Sequence, residues 1–202
     1  MGIWIYRFSA WWLCRGGNHT YICLGYPSEQ GSTVNPGDFC GGNKAGGQDA
    51  DKGKIGEADI LDVQIENDVI YHKVNKSFNE NQEVKCQLDW DIRFSRMQNH
   101  TGEHIVSGVI HRTFGYNNVG FHMNDILVTL DVDGPLNDEQ IREVEIKSNQ
   151  AIYGNKSIKA IYPTPEELPD YDYRSKMDII EGVRLIEIED TDLCACCAPH
   201  VS

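Results

Sequence analysis

The sequence predicts an α+β fold, a small antiparallel β subdomain followed by a sheet with two long helices on one face. Three observations carry that expectation. Residues 60–65, 69–74 and 83–89 are short, Val- and Ile-containing runs that read as neighbouring strands. Residues 91–114 repeat apolar side chains at helical spacing. Asn137, with Asp138 and Glu139 behind it, has the chemistry of a helix start.

Taken in order, residues 1–45 stay unassigned. Three of the four tryptophans fall in the first 12 residues, and glycine-rich pieces follow with no sustained period of 2 or 3.6. Pattern returns at Gly46. Residues 46–89 form the expected β-rich subdomain, with Asn67-Asp68 as a tight turn between two strands. Residues 90–202 form the second part. Asp89 or Asp91 opens a helix that should run to Phe114 and stop at Gly115. Phe94, Met97, Ile105 and Val109 share one apolar side of it, and Arg93, Arg96, His100, His104, Ser107 and His111 the neighbouring stripe. A hairpin is expected over residues 119–132 around Asn124-Asp125, then a helix over 138–152 and a strand over 157–162. Thr164-Pro165-Glu166-Glu167 starts a short helix. The last strand, 183–188, delivers a cysteine cluster.

Composition limits the function. The net charge of -13 falls wholly in residues 51–202, because residues 1–50 carry three basic and three acidic side chains. Such a chain does not bind nucleic acid broadly, although a small basic patch is compatible with it. Seven cysteines are too few for a disulfide scaffold, and three crowd into 194–197 beside His200. That clustering points to metal binding in a reducing, cytoplasmic setting. No stretch approaches the roughly 20 apolar residues that span a membrane.

On a helix, His100 and His104 lie one turn apart and project from the same face. They supply half of a tetrahedral zinc site. Cys196 and His200 repeat the same spacing near the end of the chain. A solvated face explains a lone histidine pair equally well; two half-sites on one chain favour zinc. Cys194 and Cys197 compete with Cys196, and Cys194 and Cys196 would share a strand face. His111 lies too far along the helix to join the same ion.

The pattern Arg93-x-x-Arg96-Met97-x-x-His100-Thr101-x-x-His104, followed by Cys196-x-x-x-His200-Val201, resembles the editing domain shared by alanyl- and threonyl-tRNA synthetases. Gly46-Gly47-Gln48-x-x-Asp51-x-Gly53-x-Ile55 resembles the glycine-rich motif on the alanyl side. The resemblance implies zinc held by His100, His104, Cys196 and His200. It implies hydrolysis of seryl and glycyl esters on alanine tRNA, with the tRNA 3′ end as partner. The sequence has no room for a synthetase's catalytic domain, so it is similar to the freestanding proteins that act in trans. It departs from the family at Gly102 and Glu103, and at Cys197-Ala198-Pro199.

Thr101 lies between the two helix histidines, where its hydroxyl could read the seryl hydroxyl. Gln48 could reach the site from the glycine-rich loop. Arg93 and Arg96 could hold phosphates of the tRNA end. The attacking water could sit on the zinc or outside its ligand shell. Two rival readings remain: a noncatalytic, zinc-stabilised tRNA-binding module, and a zinc peptidase using His100-x-x-Glu103-His104 with Glu103 as base and Glu181 as third ligand.

Overall fold

The computed structural model describes residues 3–5, 50–66, 69–79, 83–123, 128–175 and 182–201. Its strands and helices run β1 Ile3–Ile5, β2 Gly53–Ile55, β3 Ala58–Glu66, β4 Val69–Val74, β5 Cys86–Leu88, α1 Trp90–Phe114, β6 Asn118–Met123, β7 Val128–Val132, α2 Asp138–Tyr153, β8 Ile158–Ile161, β9 Leu185–Ile188 and β10 Asp192–Ala195. The class is α+β: two helices with antiparallel sheets. The chain divides into two compact units, Ser9–Arg96 and Met1–Phe8 with Met97–Ser202.

In the first unit the strands lie in the order β4-β3-β2-β5. The register Glu66↔Val69 leaves Asn67 and Asp68 between β3 and β4; the expected turn there lies outside the described residues. Ile55, Ala58, Val63 and Cys86 are buried. The strand expected over 83–89 is limited to Cys86–Leu88. β2 escaped the sequence reading because three residues containing a glycine carry no measurable period. Helix α1 opens here, with the Asp89 carboxylate accepting from the Ile92 amide at 3.3 Å.

In the second unit, residues 101–110 of α1 are buried on every side. Val106, Val109 and Ile110 pack with Leu130, Leu136 and Val144. Ile105 packs with Ala151, Ile186 and Ile188. The helix ends at Gly115, whose φ of 73° is strained for other residues. β6 and β7 form the expected hairpin, with its Asn124-Asp125 turn outside the described residues. β1, in the stretch the sequence left unassigned, pairs with β7. Asn137 caps α2 through a reciprocal bond pair with Gln140.

The sheet β10-β9-β8 completes this unit. β10 was expected only as the strand face shared by Cys194 and Cys196; its ends were unmarked, because Asp and Ala are poor strand formers. Thr164 and Glu167 cap each other at 2.9 and 3.3 Å, but only a 3-10 turn, Leu168–Asp170, follows. Pro169 has no amide to continue a helical ladder.

Candidate metal centre

His100 and His104 come from the buried part of α1, and Cys196 and His200 follow β10. The structure brings all four together, each offering one ligand atom, with those atoms within 4.8 Å of one another. Cys196 Sγ lies 3.5 Å from His100 Nε2 and 3.3 Å from His200 Nε2. Tetrahedral zinc, with nitrogen near 2.05 Å and sulfur near 2.3 Å, puts such a pair about 3.5 Å apart. The donor set therefore fits zinc closely. His111 is not part of the cluster.

Burial of imidazoles and a thiol is tolerable only if their remaining polar atoms have partners. His104 Nδ1 meets Asp192 Oδ2 at 3.1 Å. His200 Nδ1 meets Thr101 Oγ1 at 3.1 Å, and the Val201 amide donates to the same oxygen at 3.3 Å. Both contacts use Nδ1 and leave Nε2 for the cluster. Phe121 lies against His100, with ring centroids 5.4 Å apart. The Arg184 guanidinium donates to the carbonyls of Cys196 and Ala198 at 3.1 and 2.8 Å, which fixes the turn between the two C-terminal donors.

The electrostatics match this arrangement. Burial alone would raise the Cys196 thiol, but hydrogen bonds from His100, His104 and His200 hold it down at about 2. It is a thiolate, the form that binds metal. Burial opposes charge on His104, yet Asp192 and Cys196 lift its pKa to about 9. Burial drives His200 down to about 4. Cys194 differs: burial pushes it up to about 12. His104, Asp192 and Cys194 also lie close enough to suggest a metal group. That set fits poorly, because its thiol is neutral and Arg174 holds both Asp192 oxygens at 2.8 Å.

Two polar neighbours, Asp192 and Asn118, escaped the sequence reading of the site. Asp192 shares a strand face with Cys194, a period-2 signal that was available. Asn118 is aimed inward by a bulge at Val119, between the pairs Asn118↔Val132 and Gly120↔Asp131. Its amide donates to the Glu103 carboxylate, which is 3% exposed. The other Glu103 oxygen lies 3.9 Å from His104 Nε2.

The remaining sequence candidates are placed differently. Arg93 and Arg96, offered in sequence as phosphate-binding groups, are each 6% exposed. Arg93 pairs with the Asp51 carboxylate at 2.6 Å, and Arg96 donates to the Ala50 carbonyl at 2.5 Å. Both guanidiniums thus have partners within their own unit. Gln48 and Glu181 lie outside the described residues. Cys197 is exposed. No helix among the described residues is long and apolar enough to cross a membrane.

No protein-family model matches the chain. Individual proteins do. The alanyl-tRNA editing protein Aarsd1-B of Xenopus laevis is 31% identical over 163 residues, covering 78% of this chain and 39% of that protein. The alanyl-tRNA editing protein AlaX-L of Pyrococcus horikoshii is 29% identical over 167 residues, covering 78% and 41%. An alanine–tRNA ligase of Methanococcus maripaludis is 28% identical over 172 residues, covering 79% and 19%. The chain spans about two fifths of the length of these editing proteins and one fifth of the ligase. In sequence it resembles the alanyl-tRNA synthetase editing domain and the alanyl-tRNA editing proteins.

Proposed function

We propose that this chain is a zinc-dependent editing hydrolase that removes seryl and glycyl groups from mischarged alanine tRNA, acting in trans. The observation that carries the reading is the largely buried cluster of His100, His104, Cys196 and His200. The relatives named as alanyl-tRNA editing proteins support the substrate class.

Zinc bound there would supply Lewis-acid polarisation of an ester carbonyl or a nearby water. The chain's own residues supply the rest. Asp192 and Thr101 hold two imidazoles at Nδ1. Glu103 offers a buried carboxylate beside His104, held by Asn118, that can orient a water and accept its proton. Phe121 contributes an apolar wall. Thr101 Oγ1 already accepts from Val201, so its own contact with a seryl hydroxyl must be made alongside that bond. A site that hydrogen-bonds serine's hydroxyl can reject alanine strongly.

One observation keeps a second reading in view: four protein donors can close a tetrahedral zinc and leave it purely structural. The peptidase reading loses its need for Glu181, because Cys196 and His200 complete the donor set. Deacylation of seryl- and alanyl-tRNA of the alanine type decides among the three. The proposal expects seryl release, sparing of alanyl-tRNA, and loss of activity on chelation or in His104→Ala and Cys196→Ala. Zinc-loaded protein that releases neither ester and cleaves no peptide would establish the structural reading. Peptide cleavage abolished by Glu103→Gln would establish the peptidase.

A further inference from the structure

The polar environment of His104 extends well beyond the four donors. Arg174 grips Asp192 with two parallel bonds, Nε to Oδ1 and Nη2 to Oδ2, each 2.8 Å. The same Nη2 donates to Ser107 Oγ at 2.8 Å. Ser107 Oγ in turn donates to the His104 carbonyl at 3.4 Å, a weak contact. A ring of contacts therefore runs from His104 through Asp192, Arg174 and Ser107 back to His104.

The backbone reinforces the ring. The Arg174 amide donates to the Leu193 carbonyl, and the Ala195 amide to the Arg174 carbonyl, both at 2.8 Å. Arg174 is thus tied to the strand that carries Asp192. That strand packs tightly on α1 at Gly108, where a Cβ would come within 2.7 Å of Asp192 Cβ and of the Thr191 carbonyl. Only glycine lets the hairpin approach so closely one turn past His104. The Asp192 and Arg174 side chains are 2% and 14% exposed.

We propose that Asp192, locked by Arg174, is the positioning residue that fixes the tautomer and orientation of His104 for metal binding. The inference rests on the zinc reading above. A carboxylate so paired can only accept, so His104 Nδ1 must donate and Nε2 is left with its lone pair toward the cluster. Arg174 acts through Asp192: it neutralises the buried carboxylate and prevents it from swinging onto the metal. Partners of this kind are typically worth 10–100-fold in metal affinity.

The test is the zinc dissociation constant of the full chain, measured by competition with a chromophoric chelator. Cobalt substitution is read in parallel for the Cys196 charge-transfer band. Asp192→Asn can donate to Nδ1 and invert the tautomer, so its zinc affinity should fall by about 10–100-fold. Arg174→Lys keeps the charge but loses the fork. It should weaken zinc by about 10-fold and leave the cobalt band in place. If Asp192→Asn does not fold, Arg174→Lys decides alone. Unchanged affinity in Arg174→Lys would overturn the proposal. So would tighter binding there, because a released Asp192 would then be acting as a ligand. An unaltered chain that binds no zinc would refute the underlying function and this inference together, whereas normal binding with unresponsive variants refutes only the inference.

Discussion

Replacing Thr101 with valine removes one hydroxyl at nearly constant shape, and the structure says what that costs. Thr101 is 3% exposed, and His200, its partner at 3.1 Å, is 9% exposed. The Val201 amide donates to the same oxygen at 3.3 Å. Without the hydroxyl, the His200 ring nitrogen is left buried and unpaired, a loss of about 1–3 kcal/mol. The longer Val201 contact adds at most about 1 kcal/mol. Zinc affinity should also fall by about 10–100-fold, because His200 loses the group that orients it. The assays are urea unfolding of the zinc-loaded chain and chelator competition, with Thr101→Ser as the control that keeps the hydroxyl. If Thr101 served only to read the seryl hydroxyl, as its place between the two helix histidines suggests, this substitution would spare zinc and alter only the preference for seryl over alanyl esters. Unchanged stability and zinc affinity in Thr101→Val would refute the orienting role and return Thr101 to the role of selectivity alone.

Three further outcomes are expected. Gly108→Ala should displace the β9–β10 hairpin from α1, because its Cβ would sit 2.7 Å from Asp192 Cβ; zinc loading of a folded variant checks it. Ile110→Ala, at 0% exposure in the second unit's core, should cost about 2–5 kcal/mol by urea unfolding without altering the metal's ligand set. Zinc affinity should rise with pH. The folded, metal-free chain holds the His104 proton up to about 9, above the ordinary 6.5. That proton's contribution to stability is complete below 6.5 and lost as pH rises through about 9. Zinc must displace it, so uptake releases a proton and the affinity gain levels off above about 9. Indicator-dye titration in weak buffer measures the release, and the absence of proton release at neutral pH would contradict the account.

The grouping of His100, His104, Cys196 and His200 was legible because spacing encodes direction: one helical turn separates His100 from His104, and a short turn separates Cys196 from His200. Helix α1 and the Asn137 cap were legible for a similar local reason. What periodicity could not tell was what each face meets. In sequence Arg93 and Arg96 offer themselves as phosphate-binding groups, and nothing local announces that Asp51 and Ala50 lie against them. Arg174 carries no local signal at all. Its importance comes from meeting Asp192 and Ser107, residues 18 and 67 positions away. Asn118 needed a bulge that no strand pattern announces. Asp192 was within reach, two positions before Cys194 on a strand face, but β10 itself had to be recognised first.

X-ray absorption at the zinc edge of the purified chain tests the central claim most directly. The account predicts one zinc per chain with a shell of three nitrogens near 2.05 Å and one sulfur near 2.3 Å. The sulfur contribution should vanish in Cys196→Ser and persist in Cys194→Ser and Cys197→Ser. A metal-free chain, a shell without sulfur, or a sulfur signal that survives Cys196→Ser would contradict it.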